Sequence, residues 1–188
     1  MALVPYVDPA DVPDDLSAAF SRPINLLRAL VNSPGAFRQF HPFGEWIRWQ
    51  CELDPRQREL LILAVGYLAC SPYEYSHHIA LSAQFGVTDA DIAALVDHLE
   101  GHPSDLGDQE RLLIDAAREL TEDRRLSDRT AAALGAHYND SRLVDIVVVA
   151  SFYNMVVRVL GGLRIDNEPE YDGHLDRFPL TNGARGVG

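Results

Sequence analysis

Lysine is absent from this chain: its 16 basic residues are all arginine. That excludes a lysine Schiff base, covalently anchored pyridoxal phosphate and a Walker-A phosphate loop, so any chemistry here proceeds without a protein imine. Cysteine is nearly absent as well. Cys51 and Cys70 form neither a secreted-type framework nor a Cys-x-x-Cys pair, and the residue three beyond Cys70 is Tyr73, so two structural thiols are expected. Positive charge is scarce against 28 Asp plus Glu, the formal net charge is -12, and Arg124-Arg125 is the one adjacent basic pair. Nucleic acid and anionic membrane surfaces are therefore not expected partners. The first residues, Met1 to Asp15, are acidic and proline-containing rather than a charged-then-apolar leader, and no apolar run reaches the length of a membrane span. A cytoplasmic protein with no membrane association is the expectation.

What is present is enough apolar material for one sizeable core. With 188 residues, 47% of them hydrophobic, a single domain is expected. The punctuation along the chain is helical. Asp, Ser or Thr precedes a helical pattern at Asp54, Ser71, Thr88, Asp108, Ser127 and Asp140, and Pro55 and Pro72 take the favoured first helical position. Helices are predicted at about residues 12–20, 23–32, 34–50, 55–70, 72–85, 89–99, 109–122, 128–138 and 141–160, with Gly86, Gly101 and Gly161-Gly162 as stops. Pro42 is expected to break the third of these near His41. The stripe Ile92, Leu95, Val96 and Leu99 and its counterpart Leu112, Leu113, Ala116, Ala117 and Leu120 mark amphipathic helices. Leu60 to Val65 and Ile146 to Ala150 are apolar on every face, so each must be enclosed by other helices or by a neighbouring subunit. Residues 165–188, rich in Asn, Pro, Gly and charge, read as an irregular arm.

The most informative segment is Ser71-Pro72-Tyr73-Glu74-Tyr75-Ser76-His77-His78, with Glu59 upstream. Ser71-x-x-Glu74 has the form of a capping box, which alone accounts for both residues. His78 lies one turn beyond Glu74 on the same helix face, which a capping box does not require. Glu74 is thus placed to orient His78 and favour its protonated form, and His78 is the side chain best suited to move a proton near neutral pH. Glu59, on an apolar helix, is expected to have its pKa raised by burial and to hold or shuttle a proton; a solvated first-turn carboxylate is the alternative. His77 points about 100° away from His78 around the helix. Tyr73, Tyr75 and Trp46 or Trp49 can wall a pocket for a flat organic substrate, and aromatic core packing accounts for them equally. In the later helix Asn154 and Arg158 stand at i, i+4, and a buried Arg there needs an anion, either a structural carboxylate such as Asp145 or a substrate acid. His41, His98, His102, His137 and His174 are assigned no chemistry, and no metal site is expected without a third local ligand.

The segment resembles the core of the carboxymuconolactone decarboxylase and alkyl hydroperoxidase D superfamily, over roughly residues 37–120. Redox members carry Glu, then Cys-x-x-Cys, then His; here Glu59 and His78 stand at the Glu and His positions, and Ser71 and Glu74 stand where the cysteines would be. In the decarboxylases of the family the cysteines are absent and a Glu-x-x-x-His pair remains, the pattern of Glu74 and His78. The resemblance implies an all-α, multi-helix bundle around an antiparallel helix pair. It divides the chain into an N-terminal extension (1–36), a core (37–122), C-terminal helices (123–164) and a tail (165–188). It implies a homo-oligomer, trimer or hexamer, with the site at or near a subunit contact. The implied activity is a cofactor-free lyase acting on a small unsaturated carboxylic acid or lactone, with His78, Glu74 and Glu59 catalytic and Ser71, Tyr73, His77 and Arg158 binding substrate. Backbone N–H groups near Ser71 would stabilise an oxyanion. The alternatives are a thiol-dependent alkyl hydroperoxidase relying on Cys70, which lacks a resolving partner, and a ligand-binding or assembly module with an inert site.

Overall fold

The computed structural model describes residues 1–181, and among these the chain forms helices and no strand. Two short 3-10 helices, Pro9–Asp11 and Asp14–Ser21, lead into α1 (Asn25–Leu30), α2 (Pro34–Trp49), α3 (Pro55–Leu68), α4 (Pro72–Ser82), α5 (Asp89–Glu100), α6 (Asp108–Glu122), α7 (Asp128–His137), α8 (Asp140–Leu163) and α9 (Pro169–Arg177). Side-chain caps start most of the longer helices. Asp54 accepts from Arg56 and Gln57 N–H, Thr88 and Asp91 form a reciprocal capping box, and Ser127 accepts from Thr130 N–H. Two starts fall one residue earlier than the sequence predicts: Gly107 precedes α6, and Asn139 caps α8 through Arg142 N–H.

The core is organised around α3. Its residues Arg58 to Tyr67 are all buried, enclosed by α4, α6 and α8, as a helix apolar on every face requires. Each Leu or Ile removed from water there contributes about 1.5–3 kcal/mol, which fixes α3 as the axis of the bundle. The turn Ala69-Cys70-Ser71 reverses the chain, with Cys70 at φ 48, and α4 runs back antiparallel along α3: Gly66 adjoins Tyr75, and Glu59 reaches His78.

Three expectations are corrected. Pro42 lies inside α2 without ending it; of two fully buried residues on either side of it, Phe37 packs into an N-terminal cluster with Val12, Leu16, Phe20 and Val31, and Ile47 into the main core, so both halves are pinned. Gly161 and Gly162 lie inside α8, which ends at Arg164 in the left-handed conformation. The tail is not an irregular arm through residue 177, because α9 packs along α4; residues 182–188 lie outside the described residues. The N-terminal segment is tied to the end of α8 and the residues after it by Leu3 N–H to Leu163 O (2.9 Å) and Tyr6 O–H to Asp166 Oδ2 (3.0 Å).

The second apolar helix, α8, is only half enclosed. Val144 is 60% and Met155 42% exposed. By length and composition α8 would suffice to cross a membrane, although its most apolar stretch, of mean hydropathy 1.9, is 50% buried against the bundle. The sequence misses this because the apolar run is interrupted by Ser151, Asn154 and Arg158, whereas the helix is continuous.

Candidate active site

The antiparallel register of α3 and α4 brings together four charged side chains that are largely withdrawn from solvent. Arg58 and Glu59 are 2% and 1% exposed, Glu74 and His78 only slightly more. Arg58 donates through Nε and Nη2 to Glu59 Oε1 (3.1 and 2.9 Å), and its Nη1 donates to the Arg48 carbonyl (2.7 Å). Its guanidinium sits over the Phe85 ring, 4.5 Å from the centroid. The second oxygen of Glu59 accepts from His78 Nδ1 at 2.8 Å, and on the other side of the ring His78 Nε2 lies 3.0 Å from Glu74 Oε1. The result is a row of alternating charge: Arg58, Glu59, His78, Glu74.

Helix geometry accounts for each link. Glu74 and His78 are one turn apart on α4, and Ser71, the N-cap, receives Glu74 N–H on Oγ at 3.4 Å. The capping box is therefore one-sided, because the Glu74 carboxylate turns to His78. Burial pulls the His78 imidazole towards the neutral form, but the Glu59 and Glu74 carboxylates outweigh it and raise its pKa from 6.5 to about 9. For Glu59 burial pushes upward; the His78 charge, and after it the Arg58 guanidinium, overcome this and hold the carboxyl below its ordinary value. The sequence predicts the opposite shift for Glu59, because burial alone raises a carboxyl and the charges of His78 and Arg58 reach it only through the fold. At neutral pH the row is an imidazolium held between two carboxylates. Among the described residues no group of three or more His, Cys, Asp and Glu is placed to hold a metal ion.

Glu74 and His78 open onto a cavity of about 700 Å³. Phe40, Leu81, Phe152, Tyr153 and Val156 give it apolar walls, and Arg22 and Arg48 bring positive charge to it. Tyr73, His77 and Trp49 also line it, whereas Tyr75 is buried against Tyr67 and Trp46 packs on Phe43. His77 forms a second histidine–carboxylate pair. Its Nε2 is 2.7 Å from Glu168 Oε2, and its ring is stacked between Tyr73 and Tyr171, with centroids 4.1 and 3.7 Å away. Glu168 also accepts from Asn25 N–H (2.6 Å) and Tyr73 O–H (3.1 Å). Burial pushes its carboxyl up, and the hydrogen bonds from His77 and Asn25 bring it below the usual range.

Thus His78, Glu74, Glu59, Tyr73 and His77 converge at or directly behind the cavity. Ser71 does not line it and serves as the cap of α4. Arg158 lies elsewhere: it is exposed, donates to the Asn154 carbonyl and side-chain oxygens rather than to an anion, and lines a separate groove with Leu120, Arg124 and Met155. Asp145, the carboxylate considered for it, accepts instead from Glu52 N–H at 2.6 Å. His41 belongs to α2, stacks on Phe37 and does line the cavity. Neither Cys51 nor Cys70 is among the lining residues. Arg58, Arg48, Glu168 and Tyr171 were not singled out by the sequence. For Arg58 a signal existed in its adjacency to Glu59 on an all-apolar helix; for Glu168 and Tyr171 there was none, since they join α4 from about 90 positions away.

The chain resembles known proteins in both sequence and fold. Residues 34–119 match the carboxymuconolactone decarboxylase family. No curated protein matches the sequence significantly. Among solved structures, an uncharacterized peroxidase-related protein with an alkylhydroperoxidase AhpD core, from Ralstonia eutropha, is similar with a TM-score of 0.78 at 19% identity, over 90% of this chain and 94% of that one. A variant of the debrominase Bmp8, solved in complex with 2,3,4-tribromopyrrole, is similar with a TM-score of 0.79 at 16% identity, over 94% and 97% of the two chains. A protein of unknown function from Agrobacterium tumefaciens, a putative antioxidant defence protein AhpD, gives 0.65 at 22% identity, over 74% and 94%. At such identities these likenesses show the fold: the all-α bundle of alkylhydroperoxidase D-like proteins. The span that matches the carboxymuconolactone decarboxylase family, residues 34–119, is the one that holds Glu59, Glu74 and His78.

Proposed function

We propose that this protein is a cofactor-independent acid/base catalyst of the lyase type, acting on a small unsaturated carboxylic acid or lactone. The observation that carries this is the imidazolium of His78, buried between two carboxylates at the wall of a cavity of about 700 Å³. In a decarboxylation the bond to the carboxylate carbon breaks, carbon dioxide leaves, and the electron pair enters the conjugated system as a dienolate that is then protonated on carbon. His78 supplies that proton. Its Nε2–H faces Glu74, which lines the cavity, so the proton passes by way of the Glu74 carboxylate and is replaced from water. A donor with a pKa of about 9 is well matched to a strongly basic dienolate carbon. Glu59, fixed by Arg58, keeps the ring oriented throughout. The anchor for a substrate carboxylate moves from Arg158 to Arg48 and Arg22, the arginines that line the cavity.

A thiol peroxidase is disfavoured on the same geometry. Cys70 is exposed at the α3–α4 turn, and burial pushes the Cys51 thiol up, away from the reactive thiolate. The test is incubation of the purified protein with a panel of small unsaturated acids and lactones in deuterated water, following carbon dioxide release and C–D formation. Turnover of at least one compound is expected, with His78→Gln and Glu74→Gln each slower by about 10²-fold or more and still folded. Full activity in His78→Gln overturns the mechanism. Dithiol-dependent hydroperoxide reduction that disappears in Cys70→Ser favours the peroxidase instead, and saturable binding without turnover favours a binding module.

A further inference from the structure

We infer that Tyr153 is the hydrogen-bond donor this cavity holds for an oxygen of its ligand, which makes that ligand a small planar molecule presenting an anionic, enolate-like oxygen to Tyr153. The inference deepens the acid/base reading of the same site, in which the ligand would turn a carbon towards Glu74 and His78.

Tyr153 is 7% exposed, and its side chain lines the cavity. Its ring stands edge-on to the His78 imidazole, with centroids 5.1 Å apart and an interplanar angle of 86°. Five of the other six tyrosines have employment for their hydroxyls: Tyr6 with Asp166, Tyr67 with Glu100, Tyr73 with Leu26 N–H and Glu168, Tyr138 with Gln57, and Tyr171 with Arg22. Tyr153 O–H makes no hydrogen bond among the described residues, and it is not sealed off as the equally unpartnered Tyr75 hydroxyl is. A largely buried phenol that meets no protein acceptor and belongs to a residue lining a cavity is a donor free for what fills that cavity.

The electrostatics fit the role. Burial, and after it the Glu74 and Glu59 charges, hold the phenol well above its ordinary pKa, so it stays a donor at any working pH. The two carboxylates alone would repel an anionic oxygen; the Arg48 and Arg58 charges act on this hydroxyl in the opposite sense. Phe40 and Phe152 flank the position with flat apolar walls. A preplaced donor beside a proton source is the arrangement that stabilises charge developing on a carbonyl oxygen while an adjacent carbon exchanges a proton.

The probe is 4-nitrophenolate, planar with one anionic oxygen, titrated into the full-length protein and followed by its visible absorption band. Nitrobenzene serves as the oxyanion-free control. Saturable 4-nitrophenolate binding with a band shift is expected for the wild type, and affinity lower by about tenfold or more without the shift for Tyr153→Phe. Nitrobenzene should bind both proteins equally. The thermal midpoint of Tyr153→Phe should equal or exceed that of the wild type, because the hydroxyl bonds nothing in the protein. Unchanged affinity and band in Tyr153→Phe, equal weakening of nitrobenzene, a lowered midpoint, or no saturable wild-type binding at millimolar probe each overturns the assignment. Tyr153-independent probe binding alongside loss of proton exchange in His78→Gln would remove this inference and leave the acid/base function standing. Tyr153-dependent binding in a protein that exchanges no carbon-bound proton would do the reverse.

Discussion

A carboxylate withdrawn from water at Glu59 is tolerable only because cations meet both of its oxygens. Arg58 closes on Oε1 and His78 on Oε2, and removing one partner of such a buried set leaves a charge without compensation. Arg58→Leu is therefore expected to cost about 3–5 kcal/mol in urea denaturation at neutral pH. The double variant Arg58→Leu with Glu59→Gln should recover part of that loss, because the stranded charge is gone as well. A single-variant cost below about 1 kcal/mol, typical of exposed pairs, would show that Arg58 does not hold the site. At this scale the sequence makes Glu74 and His78 legible, since their spacing alone puts them on one face of α4. The Glu59 link needs the hairpin register as well. Arg58 escapes notice because an Arg next to a Glu in a first helical turn usually looks outward, and only the packing of Phe85 and the Arg48 carbonyl around it turns it inward.

The α3–α4 hairpin is the element that sets the distances within the charged row, and Gly66 governs how closely its two helices approach. A Cβ at this position would lie 3.2 Å from Tyr75 N and 3.3 Å from Tyr75 Cα, backbone that cannot swing away. Gly66→Ala gains helix propensity but must push α4 off α3, and overpacking of this kind costs about 1–3 kcal/mol. For a chain of this length the melting temperature should fall by roughly 2–10 °C; an unchanged or higher value would mean that the hairpin is not held by this contact. Most helices could be read from their caps and apolar stripes, because those signals are local. Pro42 could not, because the burial of Phe37 and Ile47 that carries α2 past it is tertiary. Nor could α9: its Pro, Gly and charge resemble a disordered arm until Glu168 and Tyr171 find His77.

Across the whole molecule the net charge is -12, yet the charged row at its centre is balanced, two cations against two carboxylates. The half-enclosed face of α8 bears on assembly. Val144 and Met155, eleven residues apart and so on one face of α8, stand exposed, so we expect self-association through this face, strengthened by salt as the like charges are screened. Light scattering at micromolar concentration should show a mass above one chain that falls in a Val144→Glu, Met155→Glu variant; a monodisperse wild-type monomer would refute it. Stability should follow the buried row in pH. His78, raised from 6.5 to about 9, contributes stability that is fully present below 6.5 and lost as pH rises through about 9. Glu59, held below its ordinary 4.5, contributes stability that is present above 4.5 and lost as pH falls through its lower folded value. The two together give a plateau from pH 4.5 to 6.5, with stability declining on both sides of it. The most direct test is a nitrogen-15 NMR titration of the His78 ring in the intact protein. Both ring nitrogens should remain protonated through neutral pH, lose a proton near pH 9, and do so at lower pH in Glu74→Gln. Titration of His78 at or below 6.5, with no response to Glu74→Gln, would contradict the imidazolium on which the proposed chemistry depends.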